Sequence, residues 1–380
     1  MDFSYSEDQE AIRELATRIF TDLATHERLR EIEGDKETPR FDRKLWSELA
    51  NAGLTGINLP EDVGGAGLGF LEAALVVEAA GRSAAYVPAI ETIATGAPAI
   101  AEFGSKAQQQ RWLPGVVAGD VVVTTALVEL GGTPDAPALA AEKKGDGFTL
   151  TGSKSCVPSG LIADVAVVPA RLDGGEVGVF VVDLSAPGVS RTWQLTNAER
   201  PDAILEFDQV ALTGDDLLGS TASGSAASGP DIVHWLVLRA TAAAALAEAG
   251  VTAASLALTA EYTKTREQFD RPIATFQAVG QRAADAYVDS EAIRLTAWQA
   301  AWRIAEGLPA DDAVAVAKFW AAEGGQRVVH AAVHLHGGVG VDRDYPMHRY
   351  FLLTKQLELT LGGATEQLLR LGSMLAAEPV

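Results

Sequence analysis

An α+β fold in three consecutive parts is what the sequence predicts: a helical segment, a β segment and a second helical bundle. Three observations carry it. Apolar residues recur at helical spacing up to about residue 118; short β-branched runs follow from Asp120 to Phe207; and long Ala- and Leu-rich patterns succeed a Gly/Ser/Ala stretch at Gly219–Gly229. With 380 residues and 48% hydrophobic content, the chain exceeds the usual size of one core. Two or three packed units are expected, with bounds at 1–118, 119–219 and 220–380.

In the first part, Ser6 and Gln9 stand as a capping box ahead of Ile12, Leu15, Ile19 and Leu23, the spacing of an amphipathic helix. Further helices are expected at Leu45–Ala52 and Leu71–Gly81, separated by the Gly-rich turn Glu61–Gly69. The β part reads as strands at Val121–Thr125, Phe148–Leu150, Val165–Val168, Val177–Val182 and Ile204–Phe207. No long helix intervenes, so an antiparallel sandwich or barrel is expected and a doubly wound parallel sheet is not. Gly219–Gly229 has the composition of a linker. Thr241–Leu258 is the most apolar stretch, but Glu248 interrupts it short of the about 20 apolar residues of a membrane span, so it reads as a buried helix.

Charge narrows the function. Lys plus Arg total 30 against 51 Asp plus Glu, a net charge of -21, so nucleic acid and anionic membrane surfaces are not expected partners. An anionic ligand must then be held by a few Arg side chains and backbone N–H groups. Cys156 is the single cysteine, which fits a reducing compartment, and the acidic start Met1–Asp8 is unlike a targeting peptide; a cytoplasmic location is expected.

Four motifs then stand out. Leu59–Gly65 with Val76-Val77-Glu78, and Phe207–Val210 with Leu217-Leu218-Gly219, are the less specific two. Tyr262–Ile273 with Phe276-Gln277 places Arg266 beyond a helix, where a guanidinium can offer directional donors to phosphate oxygens. His334-Leu335-His336-Gly337-Gly338-Val339-Gly340, followed by Asp344-Tyr345-Pro346, gives a backbone that a ligand can approach closely. His334 and His336 lack a third ligand in the pattern, so metal is not expected.

In this order and with these motifs the whole chain resembles the acyl-CoA dehydrogenase family, which implies its fold: N-terminal helical domain, middle β-sandwich or barrel domain and C-terminal helical bundle. The Arg266 segment is similar to the family's Arg-x-x-Phe-Gly-x-x-Ile…Gln flavin motif, and the Gly337-Gly338 segment to its Gln-x-x-Gly-Gly-x-Gly motif, with His334 in place of Gln. The resemblance implies FAD at a subunit interface, contacted by Arg266, Gln268, Phe269, Gln277, His334, Gly337 and Gly338.

The chain also departs from that family. Its general base is a Glu at one of two positions, which here correspond to Leu361 or Gly362 and to Ala240; none can accept a proton. Glu248 lies about 12 Å along the helix from Ala240. Glu366 and Glu358 read as solvated helix charges. The family's Thr-Glu-Pro-x-x-Gly-Ser-Asp loop is replaced by Leu127–Asp135, and its Lys-x-Trp-Ile-Ser/Thr strand by Lys154–Ser159. Cys156 thus stands for the flavin-packing Trp and Pro158 for the hydroxyl donor; Cys156 is expected to be a small packed residue.

The losses fall inside this chain's own cleft, while residues reaching toward a neighbour's FAD remain. Gln268–Pro272, with Asp270 for the family's Gly, and His336–Asp342 are especially similar to the non-catalytic partner subunit of heterotetrameric bacterial steroid side-chain acyl-CoA dehydrogenases. The resemblance implies a second, base-bearing subunit, an acyl-CoA substrate and an electron-transfer acceptor protein. Two rivals stay open: a self-sufficient homotetrameric dehydrogenase using Glu248 or Glu366 as a displaced base, and a non-enzymatic scaffold of the same fold. Related flavin monooxygenases share the fold, but no residue points to oxygen chemistry.

Overall fold

The computed structural model describes residues 4–219 and 227–377; the first three residues and 220–226, most of the expected linker, lie outside the described residues. The expected order is present. Helices α1 (Glu7–Leu23), α2 (His26–Gly34), α3 (Arg43–Asn51), α4 (Phe70–Ser83), α5 (Ala97–Phe103) and α6 (Lys106–Val117) precede the sheet. Strands β1 (Val123–Thr125), β2 (Ala140–Lys144), β3 (Gly147–Val157), β4 (Val165–Leu172), β5 (Val177–Asp183), β6 (Val189–Trp193) and β7 (Ala203–Leu212) form it. Helix α7 (Gly229–Thr265), the hairpin β8 (Glu267–Gln268) and β9 (Arg271–Pro272), then α8 (Gln277–Ala305), α9 (Asp311–His336), α10 (Met347–Leu359) and α11 (Ala364–Ala377) complete the chain.

The N-terminal capping box forms as expected: Gln9 N donates to Ser6 Oγ at 3.2 Å and Ser6 N donates to Gln9 Oε1 at 3.1 Å. By length and composition α7 could cross a membrane, but 72% of its most apolar window is buried inside the protein, the pattern of a core helix.

The sheet is one seven-stranded surface in the order β1-β4-β2-β3-β7-β6, with β5 on β4. It differs from the expected antiparallel arrangement in two pairs, because β1 and β2 both run parallel to β4. The reason lies in β4, whose Val165–Ala170 run is buried throughout and takes partners on both sides. Pro169 is tolerated there: the backbone groups of Val167 and Arg171 face β1 and the segment leading into β2, and Pro169 falls in the gap between them. Strands β2 and β6 were not expected from composition. Ala140-Ala141-Glu142-Lys143-Lys144 has little strand preference, and the antiparallel pairing with β3 across the turn at Gly145 supplies it.

Two compact units result, one from 1–29, 74–85 and 241–380 and the other from 30–73 and 86–240. Within the first, glycines let α4 and α7 cross closely. A Cβ at Gly81 would stand 2.1 Å from the Ala247 carbonyl oxygen, and one at Gly250 would stand 2.1 Å from that of Glu78.

Candidate functional site

In the unit containing 241–380, the last turn of α7 and the last turn of α9 face each other across an open cleft of about 530 Å³. Arg266, Gln268, His334, Gly337 and Gly338, expected together from the sequence, all line it. Phe269 and Gln277 do not: Phe269 stands exposed at the β8–β9 turn and Gln277 opens α8. That turn has positive φ at both central residues, Phe269 at 54° and Asp270 at 62°, as a two-residue hairpin of this kind requires. Asp is suited to that conformation, and Phe is not.

The cleft can hold an anionic, polar group. Nothing lies within 4 Å of a Cβ added at Gly337 or Gly338, so the backbone there is open to a ligand. Gly337 has φ 62° and ψ -140°, a conformation reserved for glycine. Among the described residues Arg266 forms no ion pair, which leaves its guanidinium donors for a phosphate. The pyrophosphate side of FAD fits this donor set.

One group behind the cleft was not legible as a site in the sequence. His336 is buried, its ring stacked on Tyr262 with centroids 4.4 Å apart, and its Nε2 lies 3.2 Å from the Tyr345 hydroxyl. Burial pushes its pKa below the ordinary histidine value.

Ala240, Leu361 and Gly362 are the positions that the resemblance sets against the family's base. Ala240 is buried, and Leu361 and Gly362 form a tight turn with φ 55° and 97°. Gln367 Nε2 closes the turn by donating to the Leu361 carbonyl at 3.1 Å. Glu248 is fully enclosed: Thr354 Oγ1 donates to its Oε1 at 2.7 Å, its Oε2 has no hydrogen-bond partner, and burial pushes its pKa up to about 8. Nearby Lys318, also fully enclosed, donates to the Leu357 and Glu358 carbonyls at 2.9 Å and so caps α10. Glu366 is exposed and holds the start of α11 through Gly363 N at 2.5 Å. Glu358 departs from the expected solvated charge, being half-buried and paired with Lys355 at 2.9 Å.

In the other unit, the Leu127–Asp135 and Lys154–Ser159 segments, expected in place of the family's flavin-facing loop and strand, bond to residues of their own chain. Glu129 and Lys154 form a fully buried ion pair at 2.8 Å, and Glu129 also accepts from Ala138 N and Leu139 N, which folds the 129–139 loop back on the sheet. Cys156 is a correction: it is exposed, not packed, at φ 48° in a bulge of β3 against β7. Gln194 occupies its backbone, accepting from Cys156 N at 2.6 Å, and Gln194 Nε2 lies 3.2 Å from Sγ. Ser159 N donates to Asp202 at 3.3 Å, and Pro158 has no N–H to offer. At this strand end the Cys156 and Ser159 backbone N–H groups are therefore already taken by Gln194 and Asp202.

The helical, β, helical order and the open Gly-Gly and Arg cleft at the end of the bundle are those expected of the acyl-CoA dehydrogenase fold. The family model for the acyl-CoA dehydrogenase N-terminal domain matches residues 6–120 and that for the C-terminal domain matches 229–374, so the chain belongs to the acyl-CoA dehydrogenase family, whose members are FAD flavoproteins. It is 43% identical to acyl-CoA dehydrogenase FadE27 of Mycobacterium tuberculosis over 100% of both chains. Among solved structures it is similar to a chain of the ChsE4-ChsE5 complex from Mycobacterium tuberculosis, at 44% identity and TM-score 0.93 with 100% of both chains covered. It is also similar to a variant of the Tcur3481-Tcur3483 steroid ACAD, at 44% identity and TM-score 0.88 over 97% of this chain and 98% of that one.

Proposed function

We propose that this chain is the non-catalytic subunit of a hetero-oligomeric acyl-CoA dehydrogenase, completing the FAD site of a base-bearing partner. One observation carries the reading: the Arg266 and Gly337-Gly338 cleft is open with the Arg266 donors free, whereas the N–H groups of Cys156 and Ser159 on the chain's own flavin-facing strand are taken by Gln194 and Asp202 and its base positions hold Ala240, Leu361 and Gly362. The likeness to chains of a ChsE4-ChsE5 complex and of a steroid ACAD supports a bulky, steroid-derived acyl-CoA as the substrate.

FAD held by Arg266, His334 and Gly337-Gly338 would supply the hydride acceptor that α,β-desaturation of an acyl-CoA requires. This chain's part is binding and orientation. The Arg266 guanidinium neutralises phosphate charge directionally, in a protein whose net charge of -21 otherwise repels it. The glycine backbone lets the cofactor approach without a Cβ between them. His334 lines the same wall and can donate or accept a hydrogen bond where the family's Gln would. Removal of the α-proton falls to a carboxylate of the partner, and a separate electron-transfer protein reoxidises the complex.

Expression with and without the base-bearing subunit tests the reading. The chain alone should carry little flavin and no dehydrogenase activity; the pair should carry both. Stoichiometric FAD with turnover in the chain alone would contradict it.

A further inference from the structure

The glycine backbone of the cleft is held from behind by three rings. His336 Nδ1 lies 2.8 Å from the Ala332 carbonyl. A carbonyl oxygen only accepts, so Nδ1 carries the hydrogen and, in the neutral ring, Nε2 accepts from the Tyr345 hydroxyl at 3.2 Å. Tyr262, one turn before Arg266 on α7, stacks on the ring and donates its hydroxyl to the His336 carbonyl at 3.3 Å, immediately before Gly337. The stack therefore joins the helix end bearing Arg266 to the helix end bearing Gly337-Gly338.

We propose that His336, acting with Tyr262 and Tyr345, is a positioning residue that sets the Gly337-Gly338 backbone for the cofactor, with the neutral Nδ1–H ring as the form that fits the stack. A protonated ring donates from both nitrogens, so the Nε2 bond to Tyr345 must reverse: the Tyr345 oxygen accepts, its own hydrogen turns away, and the buried ring carries a charge between two aromatic rings. The groups facing the ring are Tyr262 from α7 and Tyr345 from the loop before α10. Arg266, His334 and Asp342 line the same cleft. Burial favours the neutral ring, so the arrangement is fully favoured above the ordinary histidine range and is opposed by protonation as pH falls below it.

The proposal rests on the reading of the cleft as a flavin site, and the test separates the two. FAD dissociation constants of the complex with its base-bearing partner are measured from pH 8 to pH 5.5 for wild type, Tyr345→Phe, His336→Phe, His334→Gln and Arg266→Ala. Wild type should bind FAD a few-fold more weakly at the acid end, because protonation charges the buried ring. Tyr345→Phe keeps the ring and removes the hydroxyl; it should be about fivefold weaker at pH 8, the equivalent of one hydrogen bond. His336→Phe keeps a stacking ring and should have a flat profile, whereas His334→Gln should keep the wild-type slope. Wild-type affinity at pH 8 in Tyr345→Phe, a wild-type slope in His336→Phe, or a flat profile in His334→Gln overturns the assignment to His336. Unchanged affinity in Arg266→Ala overturns instead the reading of the cleft as a flavin site.

Discussion

Replacing Glu248 by Gln is expected to stabilise the protein at pH 8, to do nothing near pH 5, and to leave flavin content and turnover of the complex intact. Glu248 is fully buried with one carboxyl oxygen bonded to Thr354 and the other without a partner. Its pKa rises from 4.5 to about 8 on folding, chiefly by desolvation. Between those values the unfolded chain has released the proton while the folded one holds it, so the unfolded state binds fewer protons and stability falls as pH rises. At about 1.4 kcal/mol per pH unit the limit at pH 7 is about 3 kcal/mol. Relaxation around the buried group reduces this, and about 1–2 kcal/mol is expected. Gln does not titrate and keeps the acceptor for Thr354, so it removes that penalty without opening a cavity. Denaturant unfolding of both proteins at pH 5, 7 and 8 should show curves that coincide at pH 5 and separate progressively above it. A folded Glu248→Gln protein that loses turnover would mean that Glu248 is a displaced base; curves equally spaced at all three pH values would refute the linkage.

Four further outcomes follow from the same geometry. Arg266→Ala should strip FAD from the complex, weakening it by about 2 kcal/mol for a charge-assisted contact, read by flavin absorbance after gel filtration. Gly337→Ala places a Cβ on a backbone with φ 62° and ψ -140° and should weaken FAD by a similar amount while the far-UV spectrum stays unchanged. Leu361→Glu should leave the chain alone inactive, because a carboxylate there restores neither Cys156 nor Pro158 as flavin contacts; turnover by that variant alone would contradict it. Glu129→Gln breaks a buried ion pair and should destabilise the unit containing β3 by about 3–5 kcal/mol in denaturant unfolding.

The sequence made the helical parts legible because their signals are local. Ser6 with Gln9, and the apolar spacing of α1, α3 and α4, need no distant partner. The cleft was legible for a similar reason, since Arg266, Gln268, His334 and the glycine pair lie within short motifs at adjoining helix ends. What stayed hidden depends on tertiary pairing. Strand β2 exists because β3 accepts it, and the Glu129–Lys154 pair joins residues with no local signal of meeting. Cys156 was expected to pack, yet the β3 bulge turns it outward and Gln194 then fixes it. His336 stood in view as part of a motif, but its work with Tyr262 and Tyr345 needed coordinates.

Native mass spectrometry of the assembled protein, counting chains and flavins together, tests the central claim most directly. The account predicts two kinds of subunit, with FAD present only when both are there. Copies of this chain alone, each carrying a flavin and turning over an acyl-CoA, would contradict it.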